Sequence, residues 1–256
     1  MTAPHNKIAL ITGASSGIGR ACAQALVKDG WRVVFTGRRA DALAEAIAGA
    51  GDPFGDIATR AVGIPADVGD PASVAALFAQ IEQRFGRLDL LFNNAGISAG
   101  GPIDELPFEK WRDSVAANLT GPFLCSQQAF KLMKRQQPIG GRIINNGSIS
   151  AYVPRPFSVP YSATKHAITG LTKACSLEGR AYDIAVGQID IGNVASDMTE
   201  KMVAGVPQAD GSIKPEPRMD MANVVETFLT MSRLPLSANI LFTTVMATKM
   251  PYVGRG

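Results

Sequence analysis

A doubly wound parallel α/β sheet with helices on both faces is the fold this sequence predicts, and three observations predict it. Short runs rich in β-branched residues alternate with longer Ala-rich helical patterns from the start of the chain, and such alternation implies parallel strands joined by crossover helices. The first apolar run ends in a glycine-rich turn that opens a helix. The composition, 46% hydrophobic and 18% charged, supplies ample apolar material for one core.

Lys7–Thr12 reads as a buried strand and Gly17–Gly30 as a helix ended by its glycine. Arg32–Thr36 is the second strand, Asp41–Gly49 the next helix and Thr59–Gly63 a third strand. Asp70 and Pro71 open a helix to about Phe85, because Asp accepts from free N–H groups there and Pro has none to lose. Leu88–Phe92 and Gly141–Asn146 are further strands, separated by a long helix from about Phe108 to Gln137. A helix over about Ser158–Arg180 leads to a strand at Ile184–Ile189, a helix at about Met219–Arg233 and a last strand at Ile240–Val245. Val203–Arg218 is rich in Pro, Gly and polar residues and reads as a functional loop, not a domain linker. Residues 1–256 are therefore expected to form a single domain, with a long loop over about 193–218 and a tail over about 246–256.

Composition also narrows the function. No apolar run approaches the ~18 residues of a membrane-spanning helix. Met1–Lys7 is polar and Ile8–Ile11 is too short for a signal peptide, so a cytoplasmic location is expected. Cys22, Cys125 and Cys175 show no paired spacing and suit a reduced compartment. His5 and His166 are the only histidines, and neither has metal-ligand spacing. Net charge is +3 with no basic block longer than Arg38-Arg39, which argues against a nucleic-acid or membrane partner.

Thr12-Gly13-Ala14-Ser15-Ser16-Gly17-Ile18-Gly19 lies where the first strand becomes the first helix. Glycines there permit a tight turn and let backbone N–H groups approach a pyrophosphate at the positive helix end. The spacing is G-x-x-x-G-x-G, not the common G-x-G-x-x-G, and an ordinary turn would use glycine too. The strand–turn–helix context is what favours a dinucleotide. The second strand ends at Thr36-Gly37, 20 residues past Gly17. A carboxylate here would bond the adenosine ribose of NAD and repel a 2′-phosphate. Arg38 and Arg39 stand there instead, opposing the macrodipole of the helix they open unless an anion is bound. Guanidinium matches a phosphate in bidentate fashion. A solvated surface pair is the plain alternative; the reading favours NADP(H) over NAD(H).

Tyr161 and Lys165 are four apart on one helix and share a face. An unassisted phenol, with a pKa near ~10, is a poor proton donor at neutral pH. A nearby ammonium favours the phenolate, and a cationic nicotinamide would add to the effect. Alone, a Tyr-x-x-x-Lys pair is mostly structural. Ser148 lies 13 residues before Tyr161, just past the strand ending at Asn146, where open α/β sheets bind ligands. Its hydroxyl can hold a substrate oxygen, though serines there often only cap turns.

Taken together, these motifs resemble the short-chain dehydrogenase/reductase family, of Rossmann-like fold. The likeness runs in order through Thr12–Gly19, Asp67-Val68, Asn93-Asn94-Ala95-Gly96, Asn118, Ser148 and Tyr161–Lys165, over about residues 7–190. The resemblance implies that Gly13, Ser15, Ser16, Gly17, Ile18 and Gly19 cradle the cofactor phosphates and that Gly37, Arg38 and Arg39 meet its ribose end. Asp67 and Val68 would contact adenine, and Asn94, Ala95 and Gly96 would line the cleft. Tyr161 would be the acid/base, and Lys165 would bond the nicotinamide ribose. Ser148 would polarise the substrate carbonyl, while Asn118 would hold a water that reloads the proton. It also implies a homodimer or homotetramer.

After the sixth strand the likeness weakens. The family's Pro-Gly is replaced by Ile191-Gly192, although Gly192, Val194 and Ser196 keep positions suited to the nicotinamide carboxamide. The tail from Met246 lacks the family's common glycine-rich ending, and its role, closing the site or joining a subunit contact, stays open. Walls are expected from Ala151–Ser158, with Tyr152, Pro154 and Phe157, and from Ser196–Pro207, with Met198 and Met202. The expected ligand is a small-molecule carbonyl or alcohol, with Tyr152 among its contacts. An NAD-linked alcohol dehydrogenase and a non-catalytic dinucleotide sensor are the alternatives.

Overall fold

The computed structural model describes residues 6–51, 53–196 and 199–253. Ile8–Thr12 (β1) is buried along its whole length, as an apolar strand covered on both faces must be. It passes through the glycine turn into Gly17–Lys28 (α1), and Arg32–Gly37 (β2) returns parallel to it, with Ile8 beside Arg32 and Thr12 beside Thr36. Ala40–Ala48 (α2) and a one-turn helix, Ile57–Arg60 (α3), precede Ala61–Pro65 (β3). The third strand thus begins later than Thr59–Gly63. The Asp56 carbonyl accepts from the N–H groups of Thr59 and Arg60, which winds both into the helical turn.

Pro71–Phe85 (α4) starts and stops where the sequence indicates. The Asp70 carboxylate accepts from Ala72 N–H at 3.2 Å and Ser73 N–H at 3.1 Å, and Gly86 ends the helix in the left-handed region at φ 68°. Leu90–Asn93 (β4) follows, shorter at its start than Leu88–Phe92.

The single helix expected over Phe108–Gln137 is interrupted. Phe108–Val115 (α5) runs into a five-residue π turn at Ala116–Thr120, and Gly121–Arg135 (α6) resumes the α-helix. The interruption centres on Asn118, whose buried side chain bonds the main chain of Ile97 in both directions. A π turn of this kind recurs at functional sites.

Gly141–Asn146 (β5), Val159–Gly179 (α7) and Ile184–Ile191 (β6) come next. β6 extends two residues past expectation because Asp190 and Ile191 pair with Thr244 and Val245 of Phe242–Val245 (β9). The long loop expected over about 193–218 carries a short helix, Lys201–Ala204 (α8), and an antiparallel pair, Val206–Pro207 (β7) with Ile213–Lys214 (β8). Met221–Arg233 (α9) leads back to β9.

The large sheet has the order β3-β2-β1-β4-β5-β6-β9, every neighbour parallel. One face packs on α1, α2 and α9 around Phe35, Phe92 and Phe228, the last two with ring centroids 4.6 Å apart. The other packs Leu10, Leu91 and Ile143 against Leu77 and Ile81 of α4 and Leu132 of α6. Strand order reverses between β1 and β4, which opens a crevice outside their carboxyl ends. Cys22 and Cys125 are buried and unbridged, and burial pushes the Cys125 thiol up to about 12. Among the described residues no helix is long and apolar enough to cross a membrane, and no cluster of His, Cys, Asp or Glu could hold a metal. His5, Met198 and the last three tail residues, Gly254, Arg255 and Gly256, lie outside the described residues.

Candidate active site

The turn after β1 is shaped by two glycines that nothing larger could replace. A Cβ on Gly13 would lie 2.9 Å from the Ala95 Cα, and one on Gly19 would lie 2.4 Å from both Asn94 Nδ2 and the Gly13 carbonyl. Gly17 differs from both. It sits at φ 53°, exposed, with nothing within 4 Å of its missing Cβ. Ser16 before it gives α1 no side-chain cap, and the first turn holds no acidic residue. The first-turn N–H groups of α1 therefore lie uncapped at the mouth of the crevice, a ready anion site. Ser15 is half-buried beside Gly37, where a Cβ would meet the Ser15 Oγ at an ordinary 3.5 Å. Arg38 and Arg39 are both exposed, at the start of α2. Asp67 is exposed and accepts from Gly69 N–H at 2.9 Å, while the Val68 side chain is buried against Gly121.

A chain of hydrogen bonds runs across the crevice from the phosphate side to the helix carrying Tyr161. Thr12 Oγ1 accepts from the N–H groups of Asn94 and Ala95, each at 2.9 Å. Asn94 Nδ2 donates to the Thr12 carbonyl, and Asn94 Oδ1 accepts from Asn146 Nδ2, again at 2.9 Å. The Asn146 carbonyl accepts from Lys165 Nζ at 2.7 Å. Lys165 is 6% exposed, and its Nζ lies 5.5 Å from the centroid of the half-buried Tyr161 ring. Thus the pair read from the sequence does share a face, with its ammonium fixed by the end of β5.

Asn118 closes the other side. Its Oδ1 accepts from Ile97 N–H at 2.8 Å, and its Nδ2 donates to the Ile97 carbonyl at 2.9 Å and to Thr164 Oγ1 of α7 at 3.2 Å. A Cβ on Gly96 would come within 3.0 Å of that same Oδ1. Ser148 is extended, caps the one-turn 3₁₀ helix Ile149–Ala151, and accepts on Oγ from Ser150 N–H at 3.1 Å.

Beyond β6, Gly192 donates to the Val245 carbonyl at 2.8 Å, and a Cβ there would lie 2.6 Å from the Met246 Cβ. The tail residues Met246–Met250 therefore pack on this loop within one chain. Val194 bridges to Met219, and Ser196 N–H donates to Thr199 Oγ1 at 3.2 Å. An open cavity of about 520 Å³ lies under the same segment, lined by Ala195, Val203 and Pro215–Arg218 with Asp220. Among the residues expected to form the walls, Pro154 and Phe157 are exposed, and Phe157 adopts φ 61°. The Tyr152 ring is also exposed, but its hydroxyl points inward and donates to Asp190 Oδ2 at 3.0 Å.

Two polar groups went unread in the sequence. Asp190 is fully buried in β6, and burial holds its carboxyl above the usual carboxylate range against the opposing bonds from Gln188, Tyr152 and Ser148. Glu216, also buried, pairs with Arg155 and accepts from Asn193 Nδ2 at 2.8 Å, which ties the wall after β5 to the loop after β6. A signal for Asp190 did exist: an acidic residue inside the apolar run Ile184–Ile191 is an anomaly, because a carboxylate is rarely buried without partners.

A profile of the family described as short chain dehydrogenase matches residues 7–206. A 3beta-hydroxysteroid dehydrogenase from Mediterraneibacter gnavus is 36% identical over 201 residues, 78% of this chain and 70% of that protein. A 3-oxoacyl-[acyl-carrier-protein] reductase from Synechocystis is 37% identical over 209 residues, covering 80% and 81%. Among solved structures, a variant of actinorhodin polyketide ketoreductase with NADPH superposes with a TM-score of 0.81 at 29% identity, covering 96% of this chain and 97% of that one.

Proposed function

The chain belongs to the short-chain dehydrogenase family and is an oxidoreductase; from that premise we propose that it moves hydride between a nicotinamide dinucleotide, NADP(H) in preference to NAD(H), and a carbonyl or secondary alcohol. The observation that carries this reading is the Lys165 ammonium, 5.5 Å from the Tyr161 ring and anchored on the Asn146 carbonyl at the sheet's carboxyl edge. The uncapped, exposed start of α1 fits a pyrophosphate, held by Gly13 and by Ser15–Gly19. Arg38 and Arg39 would take a 2′-phosphate, with Gly37 leaving it room and presenting no repelling carboxylate. Asp67 and Val68 would flank the adenine. Asn94–Gly96, Gly192, Val194 and Ser196 would border the nicotinamide end.

When bound, the cofactor supplies the carbon that gives or takes hydride. Tyr161 donates its phenolic proton to the developing alkoxide, and the Lys165 ammonium stabilises the phenolate left behind. Ser148 already accepts from Ser150 on its oxygen, so its own hydrogen is free to hold the substrate oxygen. The Asn118 side chain is engaged by Ile97 and Thr164. A water reloading the proton through Lys165 would therefore sit on a main-chain carbonyl of the π turn, not on the Asn118 amide. The direction we favour is carbonyl reduction, which the names of the Synechocystis and actinorhodin relatives support. The Tyr152 ring, Pro154, Phe157 and Met202 suit an apolar body on the substrate. Exposed Phe108 and Phe123 on α5 and α6 suit burial against a second copy, in keeping with a cytoplasmic homodimer or homotetramer.

A panel of ketones, aldehydes, sugars and 3-oxoacyl thioesters, assayed with NADPH and NADH, tests the proposal. Turnover of at least one carbonyl compound is expected, with kcat/KM higher for NADPH. Absence of turnover across the panel with both cofactors contradicts it.

A further inference from the structure

Asp190 has no place in the chemistry above, yet three donors converge on its carboxylate. Oδ1 accepts from the Ser148 main-chain N–H at 2.9 Å and from Gln188 Nε2 at 2.7 Å, and Oδ2 accepts from the Tyr152 hydroxyl at 3.0 Å. The group is 0% exposed, so these bonds replace water that a buried carboxylate has lost. No cation forms an ion pair with it among the described residues.

The approach to Ser148 is close enough to dictate the neighbouring residue. A Cβ on Gly147 would lie 2.0 Å from Asp190 Oδ1, so only glycine fits between β5 and Ser148. Gly147 N–H in turn donates to the Ile189 carbonyl at 2.9 Å, extending the β5–β6 pairing by one residue. The carboxylate thus seizes the chain where it leaves the sheet and turns into Ile149–Ala151. Behind it Gln188 is itself held, its Oε1 accepting from Thr172 Oγ1 at 2.9 Å, and that hydroxyl accepts from Asn145 Nδ2 at the same distance. The carboxylate is thus hydrogen-bonded both to the chain leaving β5 and to the held side chain of Gln188.

We propose that Asp190 is a positioning residue for Ser148, fixing through the Ser148 main-chain N–H and the Tyr152 phenol the placement of the hydroxyl that holds the substrate oxygen. The inference rests on the proposed function of Ser148. Both oxygens of Asp190 act as acceptors, and an amide keeps one of them. Asp190→Asn therefore retains a bond to Ser148 N–H, with the Tyr152 hydroxyl turned round to accept, whereas Asp190→Ala loses both.

The test is a double-mutant cycle on the NADPH-dependent enzyme, with Ser148→Ala, Asp190→Ala and the pair, and with Asp190→Asn and Tyr152→Phe alongside. Ser148→Ala is expected to lower kcat by about 10²-fold, within the range of a lost oxyanion donor. Asp190→Ala is expected to lower kcat by about tenfold or more while leaving cofactor affinity, read by quenching of cofactor fluorescence, within about threefold. In the Ser148→Ala background the same change should cost less than about twofold. Asp190→Asn should recover most of the loss, and Tyr152→Phe should fall between Asp190→Asn and Asp190→Ala. Fully multiplicative effects of Ser148→Ala and Asp190→Ala, or an Asp190→Ala enzyme with unchanged kcat, overturn the proposal. If Asp190→Ala fails to fold, the cycle run with Asp190→Asn decides: any kcat loss it shows must vanish when Ser148 is absent, and a loss that persists there is equally fatal. Should Ser148→Ala itself leave kcat unchanged, the role given to Ser148 falls first and takes this inference with it.

Discussion

Tyr161→Phe is expected to lower kcat by about 10²- to 10⁴-fold, the span attributed to a lost general acid, while leaving cofactor affinity and the thermal midpoint close to those of the unmodified protein. The substitution removes one oxygen from a half-buried ring and keeps the ring itself. The Lys165 bond to the Asn146 carbonyl does not involve that oxygen, so the ammonium should stay in place. Steady-state kinetics with NADPH and an active carbonyl compound, beside a fluorescence titration of the cofactor, separate the two effects. A variant that turns over at the original rate would remove Tyr161 from the chemistry.

Cofactor choice should be nearly as sensitive. In Gly37→Asp/Arg38→Ala/Arg39→Ala, the ratio of kcat/KM for NADPH to that for NADH is expected to fall by about 10²-fold or more. Two charge-assisted contacts at ~1.5 kcal/mol each amount to roughly that factor, and the new carboxylate adds repulsion of a 2′-phosphate while offering the NAD ribose a partner. The fold should accept the change, because a Cβ at Gly37 meets Ser15 Oγ at 3.5 Å and both arginines are exposed. Parallel assays with the two cofactors give the ratio. An unaltered ratio would mean that the arginines are ordinary surface cations.

What could be read from the chain was what local chemistry decides. The β1–turn–α1 unit was legible because its strand is continuously apolar and its glycines stand at fixed offsets; Asp70, Pro71 and Gly86 mark both ends of α4 by capping alone. Tyr161 and Lys165 were legible because a helix fixes which residues share a face. The break at Ala116–Thr120 was not, since it accompanies bonds from Asn118 to Ile97, 21 residues away, on a segment with no regular structure of its own. Thr59 and Arg60 have the look of a strand and are helical because the Asp56 carbonyl takes both their N–H groups. Asp190 meets Ser148 only through the β5–β6 register, 42 residues apart. The bond from the Tyr152 hydroxyl to Asp190 depends on the same register, while the Tyr152 ring stays exposed. The antiparallel pair within 203–218 escaped because two-residue strands carry too little periodicity to detect.

The claim on which all of this depends is that the crevice between β1 and β4 brings a nicotinamide against the substrate held by Tyr161 and Ser148. Reduction of an active carbonyl compound with NADPH carrying deuterium on both positions of nicotinamide C4, followed by mass spectrometry of the product, examines it directly. One deuterium is expected on the former carbonyl carbon in every product molecule, and none from deuterated solvent at that position. Product that carries solvent deuterium on that carbon, or no label at all, would contradict it.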